Sequence, residues 1–545
     1  MTWASIRAYL RIPDHITGRG VNIAIIDSSF AHHPDIASYE KRNTYIVRTA
    51  EHLAQPLLMQ PHPGPWNRGL HGLSSAAAAA GSGELSGGYY SGAAPLANLY
   101  LLETGPLYTP NDIEVKFVRA MEWLKSNWRL YNIRGVVLTV TATRDTGLLP
   151  WQADPIRMIG EELVAEGLLV VSSSGNTKEL TCNGPASSPS ILSVGGVVVP
   201  ASAKFQDALP YHGCRGPTFE NKWVPEILAP AENIVLPTPF QSEEEYLKHF
   251  TASFDDLPTG YARTEGTSFS GPIILGAAAC VWEARPWLSG FQIKSVLIGS
   301  SRISHIKWEE LRSGQVDVSA ALKFIPPMEQ VSTVSPYLHW KMWKRREETE
   351  CLEALRGVDE QEARAALLSY MSEPCSEEMA VHFRAMLQHP SDRIRAVSII
   401  LLSDQSLPIT SDDLRRLLKD VSSFVRMGAL YACGKYPNLW DEIAAEFIRL
   451  FSDNDLNIQY CALKLASTIK NPIFIAPIIG GLKSDALNQK VSVFGARCNA
   501  LEQITGIQIE SVPEWREGQC WYSEDSTESR LDIVRKWAEW YKQNG

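Results

Sequence analysis

The chain reads as an α/β protein with a mostly parallel sheet and helices on both faces, followed by an all-α array. Three observations predict this. From Trp3 to Phe324, short β-branched apolar runs alternate with stretches of helical periodicity. After Pro326-Pro327 the composition turns to Leu, Ala, Arg and Glu at helical spacing, with similar stretches about every 31–33 residues. Near the end of the first region lies Gly266-Thr267-Ser268-Phe269-Ser270-Gly271-Pro272, which sets a serine between a glycine-permitted turn and the apolar run Ile273 to Trp282. That run predicts a buried helix beginning at or just after the serine. Taken alone, Ser268 is equally a capping serine, since Ser and Thr are favoured at helix starts for their own sake.

Composition narrows the possibilities. With 545 residues, 45% hydrophobic and 21% charged, the chain can bury a large core. A formal charge of −10 argues against a nucleic-acid partner, which needs clustered Lys and Arg. Met1-Thr2-Trp3-Ala4-Ser5 lacks the basic start and apolar core of a secretory signal, and the longest apolar stretch, Gly271 to Trp282, is too short to cross a bilayer. The expectation is a cytoplasmic protein without a membrane partner. Nine cysteines without CxxC spacing suggest neither a disulfide framework nor a zinc site.

In chain order, Val21 to Ile26 follows the turn Gly18-Arg19-Gly20 and reads as a central parallel strand. Asp27 ends it, at the carboxyl edge where such sheets place ligands, although it also suits a cap for the next turn. His71-Gly72 opens an alanine-rich helix, Leu73 to Ala80, closed by Gly81. The neighbouring His32, His33 and His62 read as surface imidazoles. Strands follow at Leu99 to Leu102, Val136 to Val140 and Leu168 to Val171, with helices at about Asn111 to Tyr131 and Pro155 to Glu166. Ser172-Ser173-Ser174-Gly175-Asn176 then leaves a strand end, where an amide can face a substrate, though Gly-Asn is also a turn signal.

Asp27 in Ile-Asp-Ser, His71 in His-Gly, Asn176 in Ser-Ser-Gly-Asn and Ser268 in Gly-Thr-Ser-Phe-Ser-Gly-Pro occur in the order of the subtilisin-like serine proteases. Gly92-Ala93-Ala94-Pro95, Pro185-Ala186 and Pro225-Glu226-Ile227-Leu228-Ala229-Pro230 resemble the same family, so the resemblance runs from Trp3 to Phe324. It implies a subtilisin-like fold and peptide-bond hydrolysis through an acyl-enzyme. Ser268 would be the nucleophile, His71 the base, Asp27 the residue orienting the imidazole, and Asn176 an oxyanion donor with the Ser268 backbone N–H. It further implies a substrate-binding set of Thr141, Thr143, Ser173, Ser174, Gly175, Asn183 and Gly184, the S1 wall running on to Ala186.

The sequence departs from the family's usual pattern at Leu73, Ser29 and Thr143, the last replacing a glycine in the strand that pairs with substrate. Asp35 matches a carboxylate that often binds structural calcium in relatives. The loop Gly81 to Gly88 lacks the accompanying Asn-rich pattern and one carboxylate is too few oxygens, so structural calcium is possible but unsupported and no cofactor is expected. The catalytic domain begins almost at the N-terminus, so no inhibitory propeptide is expected. Glu243-Glu244-Glu245 and Asp255-Asp256 sit in a long connection that reads either as a solvated acidic loop or as a lid favouring basic substrates.

In the C-terminal third, Ser391 to Ala396, Ser423 to Ala429, Asp455 to Ala462 and Gln489 to Ser492 look alike and resemble the second-helix starts of HEAT-type repeats. The tail from Trp515 to Trp540 reads as an apolar cap. The expected organisation is a protease domain over 1–325, a linker over 326–345 and a HEAT-like solenoid over 346–545. The leading reading is an intracellular serine endopeptidase acting on a protein or peptide, with the repeats recruiting a protein substrate or regulator. The alternative is a catalytically silent protease-fold scaffold that binds proteins.

Overall fold

The computed structural model describes residues 4–51, 54–62, 69–106, 110–139, 146–182, 184–200, 202, 204–238, 257–303, 312–326, 335–509 and 525–544. These fall into two compact units, one within 1–143 and 154–335, the other within 144–153, 336–515 and 520–545.

The first unit is built on a nine-stranded sheet. Its principal strands are β1 (Asn22–Asp27), β2 (Thr44–Arg48), β3 (Asn98–Glu103), β4 (Ile133–Leu138), β5 (Leu169–Ser173), β6 (Leu192–Val198) and β7 (Ile227–Glu232). They lie in the order β7-β6-β5-β4-β1-β3-β2, all parallel, with the short strands Leu57–Leu58 and Leu209–Pro210 added antiparallel to β2 and β6. The near-continuous Ile, Val and Leu of β1, β4 and β5 suit strands covered on both faces. One face carries α1 (Leu70–Ala80) and later α4 (Thr267–Ala284); the other carries α2 (Pro110–Asn127) and α3 (Pro155–Ala165). The order of strands turns at β1, flanked by β4 and β3, so the carboxyl end of β1 is the place where a site is expected.

Two helices pack on the β1 end because their sequences are small. Ala76 to Ala80 of α1 and Ala277 to Ala279 of α4 are buried together, which brings the two helices close. Helix α4 begins at Thr267, one residue ahead of the serine, and is followed by α5 (Gly290–Gly299). Pro272 lies inside α4 and has no N–H to give the Ser268 carbonyl four residues back. Strand boundaries differ from the periodicity by one to three residues, because pairing, not apolar run length, ends a strand.

In the second unit, the four look-alike stretches each open a helix: Asp392–Asp404, Ser423–Cys433, Leu456–Ile469 and Val491–Thr505. Successive members of this series pack on one another, and two homologous rungs tie neighbours together. Arg395 meets Asp420 at 2.9 Å, and Arg426, one repeat on, meets Asp453 at 2.7 Å. The connection Thr146–Ala153 belongs to this unit, where Trp151 stands edge-on to Trp340 at 5.5 Å. In the last helix, Asp525–Asn544, Trp537 is buried and meets Trp540 edge-on, so these two are packing residues, while Trp515 and Trp521 lie outside the described residues. Among the described residues no helix is long and apolar enough to cross a membrane.

Candidate active site

Asp27 is the last residue of β1 and is completely buried. Its carboxylate is nevertheless well supplied with donors. The Ser28 backbone N–H reaches Oδ1 at 2.7 Å, and the Thr139 hydroxyl reaches Oδ2 at 2.7 Å. His71 Nδ1 lies 2.7 Å from the same Oδ2. Burial alone would raise the carboxyl, but the His71 imidazole and the Thr139 and Ser28 hydrogen bonds outweigh it and hold Asp27 below the ordinary carboxylate range. An ionised carboxylate only accepts, so Nδ1 carries the proton and Nε2 is left as the basic nitrogen.

His71 is set in place by its neighbour. It is the second residue of α1, and a Cβ on Gly72 would stand 2.1 Å from the Ser29 carbonyl oxygen. Only glycine lets the helix start approach the turn after β1 that closely. The departure from family pattern at Leu73 is an ordinary core position, fully buried.

Gly266 caps α4 with φ +138°, a conformation that favours glycine, and its N–H bonds to the Ala231 carbonyl at 2.7 Å. Ser268 follows as the second residue of α4, half-buried, in the turn whose backbone N–H groups lack helical acceptors. The next residue, Phe269, brings its ring centroid to 5.7 Å from that of His71. The residue after Ser268 therefore stands beside the His71 ring.

Asn176 is fastened to the same turn. Its Oδ1 accepts the Thr267 backbone N–H at 2.9 Å and the Thr267 hydroxyl at 2.7 Å. With the amide oxygen engaged, the N–H donors of Nδ2 are the group left to present. Ser173 donates its hydroxyl to the Thr267 carbonyl at 2.7 Å, Ser174 is fully buried, and the Gly175 N–H reaches the Thr267 hydroxyl at 3.3 Å. The end of β5 is thus stitched to the start of α4. Gly184 is buried at the head of a short 3-10 turn, Gly184–Ser187. Thr141, Thr143, Asn183 and the acidic stretches at Glu243 and Asp255 lie outside the described residues.

Two contributors escaped the sequence reading. Thr139 follows β4, and the β1–β4 register of Ile26 with Leu138 sets it beside Asp27. Thr267 orients Asn176 across 91 residues of chain. A polar residue closing an apolar strand was the available signal for Thr139, but it has meaning only once the strand order is known.

Asp35, for which the resemblance suggests a calcium role, keeps other company. It is buried, and Oδ2 accepts the Tyr261 hydroxyl at 2.6 Å. The buried Arg42 guanidinium donates to the Asp35 main-chain oxygen at 2.6 Å and also to the Ala80 carbonyl. Burial pushes the carboxyl up to about 6 against the pull of Tyr261, the Leu85 and Glu84 amides and Arg42. Calcium takes six to eight oxygens, whereas this carboxylate already holds a phenol and has a cation at hand, so these residues do not fit the ion. Among the described residues no group of three His, Cys, Asp or Glu is placed to hold a metal. His33 is corrected from a surface imidazole: it is fully buried, with Nδ1 accepting the Asp35 N–H at 3.1 Å, and burial lowers it to about 4.

Residues 18–321 match the subtilase family (peptidase S8), which is more than half of the chain, and the chain belongs to that family. It is 28% identical over 291 residues to the serine protease AprX of Bacillus subtilis (strain 168), covering 52% of this chain and 61% of that protein. The chain thus spans less than two thirds of the length of that relative. Among solved structures, fervidolysin from Fervidobacterium pennivorans matches with a TM-score of 0.41 and 14% identity over 58% of this chain and 44% of that one. The patellamide maturation protease PatA matches with a TM-score of 0.40 and 20% identity over 56% of this chain and 96% of that one.

Proposed function

We propose that the chain is an intracellular subtilisin-like serine endopeptidase working through Asp27, His71 and Ser268. The observation that carries this reading is the 2.7 Å contact between Asp27 Oδ2 and His71 Nδ1, made by a buried carboxylate whose ionised form is favoured. That contact favours the imidazole tautomer in which Nε2 is the basic nitrogen and takes the proton of the Ser268 hydroxyl as it attacks a peptide carbonyl. The imidazolium that forms is stabilised by Asp27 and returns its proton to the leaving amine. Water then hydrolyses the acyl-enzyme by the same exchange in reverse order.

The tetrahedral oxygen takes its hydrogen bonds from Asn176 Nδ2 and the Ser268 backbone N–H. Holding Oδ1 on Thr267 before substrate arrives means the donor needs no reorganisation at the moment charge develops. The S1 wall runs from Ser173 to Gly175 and, with Asn183, from Gly184 to Ala186; Thr141 and Thr143 pair with the substrate backbone. Residues 1–325 form the protease domain, 326–345 the linker and 346–545 a HEAT-like solenoid that recruits a protein substrate or regulator.

Labelling by a fluorophosphonate probe tests the reaction class. An adduct on Ser268 that is absent from Ser268→Ala supports the nucleophile; an unlabelled wild-type protein that also cleaves no peptide refutes it.

A further inference from the structure

The connection from β5 to β6 carries Asn176 at its start and the Gly184–Ser187 turn near its end. Its last part, Ala186 to Ile191, has three main-chain carbonyls that converge on one cation. Lys222 Nζ lies 3.0 Å from the Ala186 oxygen, 2.8 Å from that of Ser188 and 2.5 Å from that of Ile191. The ammonium has three N–H donors, so the three carbonyls use its full capacity. Its charge is matched by Glu226 Oε2 at 3.0 Å, and Glu226 Oε1 meets Lys294 at 2.9 Å. The Lys222 side chain is only 7% exposed, so water does not compete for these acceptors.

The rest of the arm is gripped in the same manner. Lys294 donates to the Ser190 carbonyl at 3.1 Å, Glu161 accepts the Ser190 N–H at 2.8 Å, and Arg157 donates to the Ser187 hydroxyl at 2.8 Å. Helices α3 and α5 and the turn before β7 thus hold a segment that, between Ser187 and Leu192, has no strand of its own. Removing the ammonium would take a donor from three buried carbonyls, with only Ile191 keeping a longer contact to Lys294 at 3.4 Å, and a loop relieves such a loss by moving.

We propose that Lys222 is a positioning residue for the substrate-binding wall at Gly184 to Ala186, and that it sets which side chains the enzyme accepts at the position before the cleaved bond. The inference rests on the protease reading and on that segment lining S1. Lys222 does not touch the reacting atoms, so its loss alters substrate choice more than the nucleophile. Burial lowers the Lys222 ammonium to about 8 against the pull of Glu226, with Lys294 acting alongside burial and Glu161 opposing it. The clamp is therefore charged at neutral pH and released in mild alkali.

The test uses the full chain and peptide p-nitroanilides that differ only in the P1 residue (Ala, Leu, Phe, Arg, Glu). In Lys222→Met the spread of kcat/KM across the series should shrink by about tenfold or more, while Ser268 takes a fluorophosphonate within about threefold of the wild-type rate. Lys222→Arg, which keeps a buried cation with several donors, should restore most of the spread. An unchanged P1 profile in Lys222→Met, or a uniform loss of labelling and of all five activities, overturns the proposal. If Lys222→Met does not fold, the wild-type protein decides: P1 selectivity should fall as pH rises through about 8, and selectivity that stays flat overturns the role. A wild-type protein that neither takes the probe nor cleaves any peptide refutes the protease reading itself, an outcome distinct from labelled protein with an unmoved profile.

Discussion

Thr267 donates two hydrogen bonds to the side-chain oxygen of Asn176, from its backbone N–H at 2.9 Å and its hydroxyl at 2.7 Å, and so sets the amide's orientation from the residue next to Ser268. The proposed oxyanion donor is thereby tied to the turn that carries the proposed nucleophile. Asn176→Ala should lower kcat by about 10²–10³ with little change in KM. Thr267→Val keeps the backbone donor but loses the hydroxyl, and should lower kcat by about five- to tenfold, the worth of one hydrogen bond. Steady-state kinetics on a chromogenic peptide would show both; an Asn176→Ala variant at full kcat would remove the oxyanion role.

The close approach at Gly72 makes a stability prediction. A methyl group there would sit 2.1 Å from the Ser29 oxygen, and a backbone atom cannot step aside. Gly72→Ala should cost about 1–3 kcal/mol or more and displace His71, abolishing activity. Gly480, in the helix Ile475–Leu487, has no atom within 4 Å of its would-be Cβ, and Gly480→Ala should gain about 0.5–1 kcal/mol. Denaturant melts of the two variants would separate the cases.

Glu226 predicts how stability responds to acid. Burial would raise its carboxyl, but Lys222 and Lys294 outweigh that and hold it down to about 2. A folded-state value below the unfolded one means stability that is fully present above about pH 4.3 and lost as pH falls toward about 2. Glu226→Gln leaves two buried lysines facing each other and should cost about 3–5 kcal/mol at neutral pH. The gap between wild type and variant should close as the solution is acidified below about pH 4. Urea melts at several pH values would measure it, and a gap that persists unchanged at pH 2 would contradict the assignment.

At Asp35, a phenol donates to the carboxylate and a guanidinium to the main-chain oxygen. Adding EDTA or millimolar calcium should leave the melting temperature unchanged. Tyr261→Phe removes a 2.6 Å hydrogen bond from a buried carboxylate and should destabilise by about 1–3 kcal/mol. A melting temperature that rises with calcium would show that the cluster had been misread.

The sequence by itself determined the parallel α/β core and the start of each look-alike helix, and it singled out Asp27, His71, Asn176 and Ser268 as candidates for the chemistry. Apolar runs, helix periodicity and glycine-flanked polar residues are local signals, written in neighbouring positions. The tertiary structure alone decided what those residues lean on. Thr139 reaches Asp27 because β4 pairs with β1, Thr267 reaches Asn176 because β5 ends against α4, and Lys222 reaches three carbonyls because a turn folds back over the β5–β6 connection. His33 reads in sequence as a surface imidazole and Asp35 as a match to a calcium carboxylate, whereas the fold buries both and brings Tyr261 and Arg42 to Asp35. Hydrogen bonds and charges act through a few ångströms of space, and apart from Arg42, seven residues from Asp35, these partners stand about 30 to 230 residues away in sequence.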